Sequence, residues 1–324
     1  MMKRTIGIAA SAAVLALSLA ACSSSVESGK AGEQGNPGDK AVVPSNVTIG
    51  MSVSTLNNPY FVELRKGAEE EAKAEGVKLT VTDAQNDASQ QVNQVQNFAS
   101  QNMKAIIVNP VDSNAAAPAV KAADRAKIPV IAVDREVTGA KVAQTVASDN
   151  VAGGRQAAQE LAKQIGEKGE VVVLEGVPGT SAARERGQGF TEGIAAYPNI
   201  KVVAKQPADF DRTKGLDVMT NLIQSQPGIT GVFAENDEMA LGAIKALGAK
   251  AGRTVKVVGF DGTPDGLKAI ENGTMAATIA QQPKLLGKQA VEAAVKAVSG
   301  ETLVAMVAVP VKVVTKENVA EYVN

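Results

Sequence analysis

Residues 47–81 read VTIGMSVSTLNNPYFVELRKGAEEEAKAEGVKLTV, and the hydrophobic period changes twice along them. Val47 to Val53 is a short run rich in β-branched and apolar residues, the pattern of a buried strand. Phe61, Leu64, Ala68 and Ala72 then recur on one face of a helix, and Val77 to Val81 returns to the strand pattern. Asn58-Pro59 between the first two suits a helix start, with asparagine as cap and proline at the first helical position. Two strands joined by an intervening helix run parallel. The alternation continues through Ala105 to Val108, Val130 to Val133 and Val142 to Val146. A second series follows at Val171 to Leu174, Val202 to Ala204, Gly231 to Phe233, Val255 to Val258 and Ala276 to Ile279. Val92, Val95 and Ala99 mark another helical face. This spacing predicts an α/β fold, with parallel sheets covered by helices on both sides.

The two series echo each other. Val108-Asn109-Pro110-Val111-Asp112 opens a helix in the first, and Ala234-Glu235-Asn236-Asp237 does so in the second; Val133-Asp134 and Phe260-Asp261 likewise end apolar runs with an aspartate. Two lobes built this way would face each other across a crevice at the carboxyl ends of their strands, where open α/β sheets bind ligands. Shared turn chemistry of Asn and Asp at helix starts accounts for the echo equally well.

Composition excludes several classes of function. Lys plus Arg total 33 against 34 Asp plus Glu, so no basic excess exists to hold nucleic acid by its phosphates. The chain has no histidine, which removes His-based triads and His-ligated zinc or haem. No metal or cofactor is expected. About 280 residues follow the N-terminal segment, enough for two domains of ordinary size.

That segment has its own pattern. Lys3 and Arg4 precede an apolar stretch from Ile6 to Ala21 that is shorter than the ~20 residues of a spanning helix, so residues 1–21 read as a signal peptide. Leu19-Ala20-Ala21-Cys22 resembles the lipobox of bacterial lipoproteins, which implies lipidation of Cys22 and a membrane anchor outside the cytoplasm. Cys22 is the only cysteine and has no disulfide partner in the chain. Residues 22–45, rich in Gly and Ser, read as a flexible tether.

The aromatic residues point to a ligand. Only nine occur, and Tyr60, Phe61, Phe210 and Phe260 stand beside Asn, Asp or Arg where apolar runs end. Flat rings next to fixed donors and acceptors suit a molecule with apolar C–H faces and a rim of hydroxyls, most simply a sugar. Asp134-Arg135 has the donors and acceptors to read a vicinal diol. A surface ion pair or a helix cap explains the same dipeptide, and Asp261, Asn58 and Asn236 carry the same ambiguity.

The stretch GVPGTSAARERGQG at 176–189 has neither Walker nor dinucleotide-loop spacing. Its Arg184 and Arg186 must leave the helix on different sides, so at most one faces a ligand. Glu235 lacks an assignable second carboxylate for glycosidase chemistry, which argues against an enzyme.

Taken together, VSTLNNPYF (53–61), NPVDS (109–113), VDR (133–135), ASDN (147–150), GTSAARERG (179–187), QPADFDR (206–212), FAENDEMALG (233–242), VGFDGTPDG (258–266) and AATIAQ (276–281) resemble the ribose-binding proteins of bacterial ABC importers. The resemblance runs in order from about Val47 to near the C-terminus. It implies a type I periplasmic-binding-protein fold whose lobes, 46–148 plus 282–310 and 149–281 plus 311–324, are joined by three hinge segments. It implies ribose or a related pentose as ligand, a membrane permease as partner, and a chemoreceptor as a further candidate partner. Allose, xylose or a furanosyl signalling molecule on the same scaffold is the alternative. More distant rivals are a lactose-repressor-type regulator core and a secreted sugar enzyme.

Carried over, the sugar contacts fall on Asn58, Asp134, Arg135, Arg184, Asn236, Asp261 and Gln281. Tyr60, Phe61, Phe210 and Phe260 would pack on the sugar or wall its pocket, with Ser54 nearby and Arg186 turned away. Two positions depart from the family: phenylalanine stands in its ribose binders where this chain has Tyr60, and a neutral glutamine where it has Glu235. Stacking needs only the ring of Tyr60, so its hydroxyl is expected to point away from the ligand.

Overall fold

The computed structural model describes residues 46–323. The elements run β1 (Thr48–Val53), α1 (Pro59–Ala74), β2 (Lys78–Asp83), α2 (Ala88–Ser100), β3 (Ala105–Val108), α3 (Ala117–Arg125), β4 (Val130–Val133) and β5 (Gln144–Ser148). Next come α4 (Asn150–Gln164), β6 (Gly169–Glu175), α5 (Ser181–Ile194), β7 (Ile200–Pro207), α6 (Arg212–Ser225), β8 (Ile229–Ala234) and α7 (Asp237–Leu247). The chain closes with β9 (Lys256–Asp261), α8 (Pro264–Glu271), β10 (Ala277–Ala280), α9 (Pro283–Val298), β11 (Met306–Val309) and β12 (Lys312–Thr315).

Two six-stranded sheets result, ordered β11-β5-β4-β3-β1-β2 and β12-β10-β9-β8-β6-β7. Apart from β11 and β12 the two orders are the same, so the echo between the series is architectural. All pairings are parallel except β10 with β12. Each sheet is buried on both faces. In the first lobe α1 and α9 cover Ile49, Met51 and Ile107, while α2 and α3 cover Ile106 and Val108. In the second, α4 and α5 cover Val171, Val173 and Phe233, and α6 to α8 cover Val172, Leu174 and Val232. Burial on both faces is why these strands read as continuous apolar runs rather than as alternation.

The chain passes between lobes three times: at Asp149 between β5 and α4, at Gln281-Gln282 between β10 and α9, and at Pro310-Val311 between β11 and β12. The crossings are tied together, since Asp149 N donates to Val309 O at 2.9 Å and Gln282 Nε2 to Pro310 O at 2.9 Å. β11 and β12 are absent from the strand expectations. They form one apolar stretch in sequence, which Pro310 divides between two sheets whose partner strands, β5 and β10, lie far back in the chain.

Candidate functional site

The carboxyl ends of both sets of strands face one cavity. It is lined by Asn58, Tyr60, Phe61, Asp134, Arg135, Ala182, Arg186, Phe210, Asn236, Asp261 and Gln281. Local chain chemistry aims these side chains. Asn58 caps α1 by accepting from Tyr60 N at 2.9 Å, and Asn236 caps α7 by accepting from Met239 N at 2.9 Å. Asp134 (φ 67°), Phe210 (φ 58°) and Asp261 (φ 127°) hold backbone conformations that L-residues rarely adopt. Such strain persists where the surroundings over-determine it, often at a site.

The first lobe contributes an aspartate and an arginine in a fixed frame. Asp134 accepts from Tyr60 Oη at 2.7 Å through Oδ1 and from Asn109 Nδ2 at 3.1 Å through Oδ2. Arg135 Nη1 donates to Pro110 O at 2.8 Å; its Nε sits 3.5 Å from Asp134 Oδ2 without hydrogen-bond geometry and is left unsatisfied. Burial lowers the affinity of Arg135 for its proton, and the charge of Asp134 opposes that.

Across the cavity, Arg186 Nε donates to Asn150 Oδ1 at 2.9 Å and Nη1 to Glu235 O at 2.7 Å, with Asp261 Oδ1 3.8 Å away. Burial raises the Asp261 carboxyl well above the carboxylate range, and Arg186 works against the rise. Gln281 Nε2 donates to Asp261 Oδ1 at 2.7 Å. The Phe210 ring lies between the guanidiniums, 5.5 Å from Arg135 Cζ and 5.6 Å from Arg186 Cζ.

Three expectations need correction. Arg184, not Arg186, was expected toward the ligand; the positions are reversed. Arg184 is 55% exposed and pairs with Glu136 and Glu185, whereas Arg186 is buried in the cavity wall. Phe260 lies outside the lining: it is fully buried in the core, with Arg186 Cζ 3.9 Å over its ring, so it forms a floor under the guanidinium. The Tyr60 hydroxyl turns into the polar cluster instead of away from it. Ser54 also lies off the lining, its backbone N–H donating to Asn109 Oδ1 at 3.0 Å. Asn109 does not open a helix, since α3 starts only at Ala117; it holds both this turn and Asp134. Cys22 and residues 1–45 lie outside the described residues.

The lobes touch beyond the cavity. Ser113 N donates to Gly179 O at 3.1 Å, Ser181 N to Ser113 Oγ at 3.1 Å and Glu136 N to Ser181 Oγ at 2.9 Å. This is a closed arrangement with each lobe supplying half the cavity.

Glu235 stands just behind the lining and accepts from Gly176 N at 2.7 Å. Burial pushes its carboxyl up to about 8; the Gly176 bond, Arg186 and Lys205 oppose this, and Glu175 adds to it. The folded chain therefore keeps a proton here that the unfolded chain has lost. The resulting stabilisation is complete below the ordinary carboxylate range and drains away as pH rises toward 8. Glu235→Gln should raise the unfolding temperature clearly at pH 8 and hardly at pH 5, by thermal melts at both. Equal shifts at the two pH values would refute this.

A model of the periplasmic binding protein domain matches residues 49–302. The ribose import binding protein of Salmonella typhimurium is 51% identical over 245 residues, covering 76% of this chain and 82% of that one. The Bacillus subtilis protein of the same description is 49% identical over 274 residues, 85% of this chain and 87% of that one. Among solved structures, an ABC transporter solute-binding protein from Actinobacillus succinogenes with bound D-allose matches with a TM-score of 0.80 at 38% identity, over 85% of this chain and 99% of that one. With two lobes closing on a polar cavity and sequence likeness along nearly all of both, the chain belongs to the periplasmic binding protein family.

Proposed function

We propose that this protein is the extracytoplasmic solute receptor of an ABC sugar importer and that its ligand is ribose in ring form. One observation carries the reading. Asp134 with Arg135 from one lobe, and Arg186, Asn236 and Asp261 from the other, converge on a cavity walled by Phe61 and Phe210. Rings cover the C–H faces of a sugar, and the carboxylates, amides and guanidiniums match its hydroxyls. Similarity to ribose import binding proteins at about half identity supports ribose in particular.

The protein would act by binding alone. Open lobes each offer half the contacts, and a sugar bridging both favours closure by its differential affinity for the closed form. The Ser113–Gly179 and Ser181–Glu136 contacts would form only on closure, and the closed surface is what a permease would meet. Calorimetric titration with D-ribose, allose, xylose and arabinose tests the ligand. Ribose should bind far more tightly than the others, and no heat with ribose alongside saturable binding of another sugar would overturn the assignment.

Anchoring is the second part. Leu19-Ala20-Ala21-Cys22 supports lipidation of Cys22, since stable membrane attachment takes two or more acyl chains. No helix among the described residues is long and apolar enough to cross a membrane. Cys22→Ala should move the protein from the membrane fraction to the soluble one, or leave its precursor uncleaved. Unchanged membrane association with normal lipid labelling would refute it.

A further inference from the structure

Three oxygens meet at one edge of the cavity: Tyr60 Oη lies 2.7 Å from Asp134 Oδ1 and 3.2 Å from Gln281 Oε1. Hydrogens are scarce here. Gln281 uses its amide nitrogen on Asp261, so its oxygen can only accept. Tyr60 has a single O–H. The shorter contact to a carboxylate claims it, because charge-assisted bonds are the stronger ones. Gln281 Oε1 is then left facing the tyrosine oxygen, acceptor to acceptor. On the other oxygen of Asp134, Asn109 Nδ2 already donates. A ligand arriving at this edge therefore finds Asp134 Oδ1 already holding one donor, with a second lone pair open, and Gln281 Oε1 in want of a donor.

Resting on the sugar-binding reading above, we propose that Tyr60 is the specificity-determining residue of this site. Its hydroxyl stands in for one ligand hydroxyl at Asp134. A sugar then gains less from a hydroxyl at that position, and a hydroxyl at Gln281 keeps its full value. A phenylalanine here would leave Asp134 Oδ1 without its donor, and the ligand would have to supply the missing hydrogen. The tyrosine thus shifts selection toward sugars with one hydroxyl fewer on this edge and makes the site more tolerant of deoxy analogues.

The test is a cycle between protein and ligand hydroxyls. Parent and Tyr60→Phe are titrated calorimetrically with D-ribose and its monodeoxy analogues. The substitution keeps the ring, which packs edge-on against Phe61 at 5.1 Å between centroids, and melting curves check that both proteins are folded. One deoxyribose should bind the parent within a few-fold of ribose yet fall about tenfold or more behind ribose in Tyr60→Phe, as expected for one buried hydrogen bond to a charged group. The remaining analogues should lose equally in both proteins. Penalties that agree within about twofold for every analogue would overturn the proposal. A parent that ignores ribose but binds another monosaccharide sinks the ribose reading alone. The same cycle on that sugar's deoxy analogues then decides for or against Tyr60.

Discussion

Arg186→Ala should lower ribose affinity at least about a hundredfold, whereas Arg184→Ala, two residues earlier on the same helix, should leave it within about twofold. Arg186 is buried, and its donors serve Asn150 and the Glu235 carbonyl while its charge faces Asp261. Its removal takes a charged donor from the cavity wall and leaves Asn150 Oδ1 and the Glu235 carbonyl without theirs. A buried acceptor left unsatisfied costs ~1–3 kcal/mol, so the unfolding temperature should fall as well. Arg186→Lys separates the effects: it keeps the charge and loses the planar fork, so stability should recover further than affinity. Arg184 makes only exposed ion pairs at 3.5 and 3.7 Å, a class worth ~0–1 kcal/mol. Titration of the three variants, with melts in parallel, decides the matter. Dependence on Arg184 with indifference to Arg186 would mean that the closed form differs from the one described.

The fold was legible where local pattern and final environment agree. From β1 to β2 the period shifts from strand to helix and back, and Asn58-Pro59 marks the join, because β1 is buried on both faces, α1 on one, and the edge strand β2 is half-buried. The pair β11 and β12 was not legible. What divides that stretch is a choice between two sheets, which depends on residues some 30 to 160 positions away and leaves only Pro310 as a local trace. Much of the site could be read as polar residues ending apolar runs, since strand ends deliver Asp134, Asn236 and Asp261 to one crevice. Arg184 and Arg186 could be separated but not ranked. At about 100° per residue they diverge by roughly 200° around α5, and which one turns inward is set by how that helix seats on α4. Gly154 and Gly189 govern that seating, for a Cβ at either would come within 2.3 Å of the other helix's backbone. Phe260 and Phe210 look alike in sequence, each beside an aspartate. Phe260 lies within β9, where neighbouring side chains point to opposite faces, so it goes to the core. Phe210 sits in a left-handed turn and reaches the cavity.

The other large effect belongs to Asp134. Asp134→Ala removes the acceptor for Tyr60 Oη and Asn109 Nδ2 and the counter-charge 3.5 Å from Arg135. Ribose binding should become undetectable at millimolar sugar. Stability should fall too, because a buried guanidinium loses its partner, a change that costs ~3–5 kcal/mol. Loss of binding alone would therefore be ambiguous between a missing ligand contact and a disturbed lobe. Adding Arg135→Met resolves it. Exchanging both members of a buried ion pair for apolar atoms is often neutral or stabilising, so Asp134→Ala/Arg135→Met should recover much of the lost unfolding temperature. It should not recover binding, since no carboxylate and no guanidinium remain on that wall to meet the sugar's hydroxyls. Ribose binding by this stable double variant would show that the pair only braces the first lobe, and recognition would then rest on Arg186, Asn236 and Asp261 across the cleft.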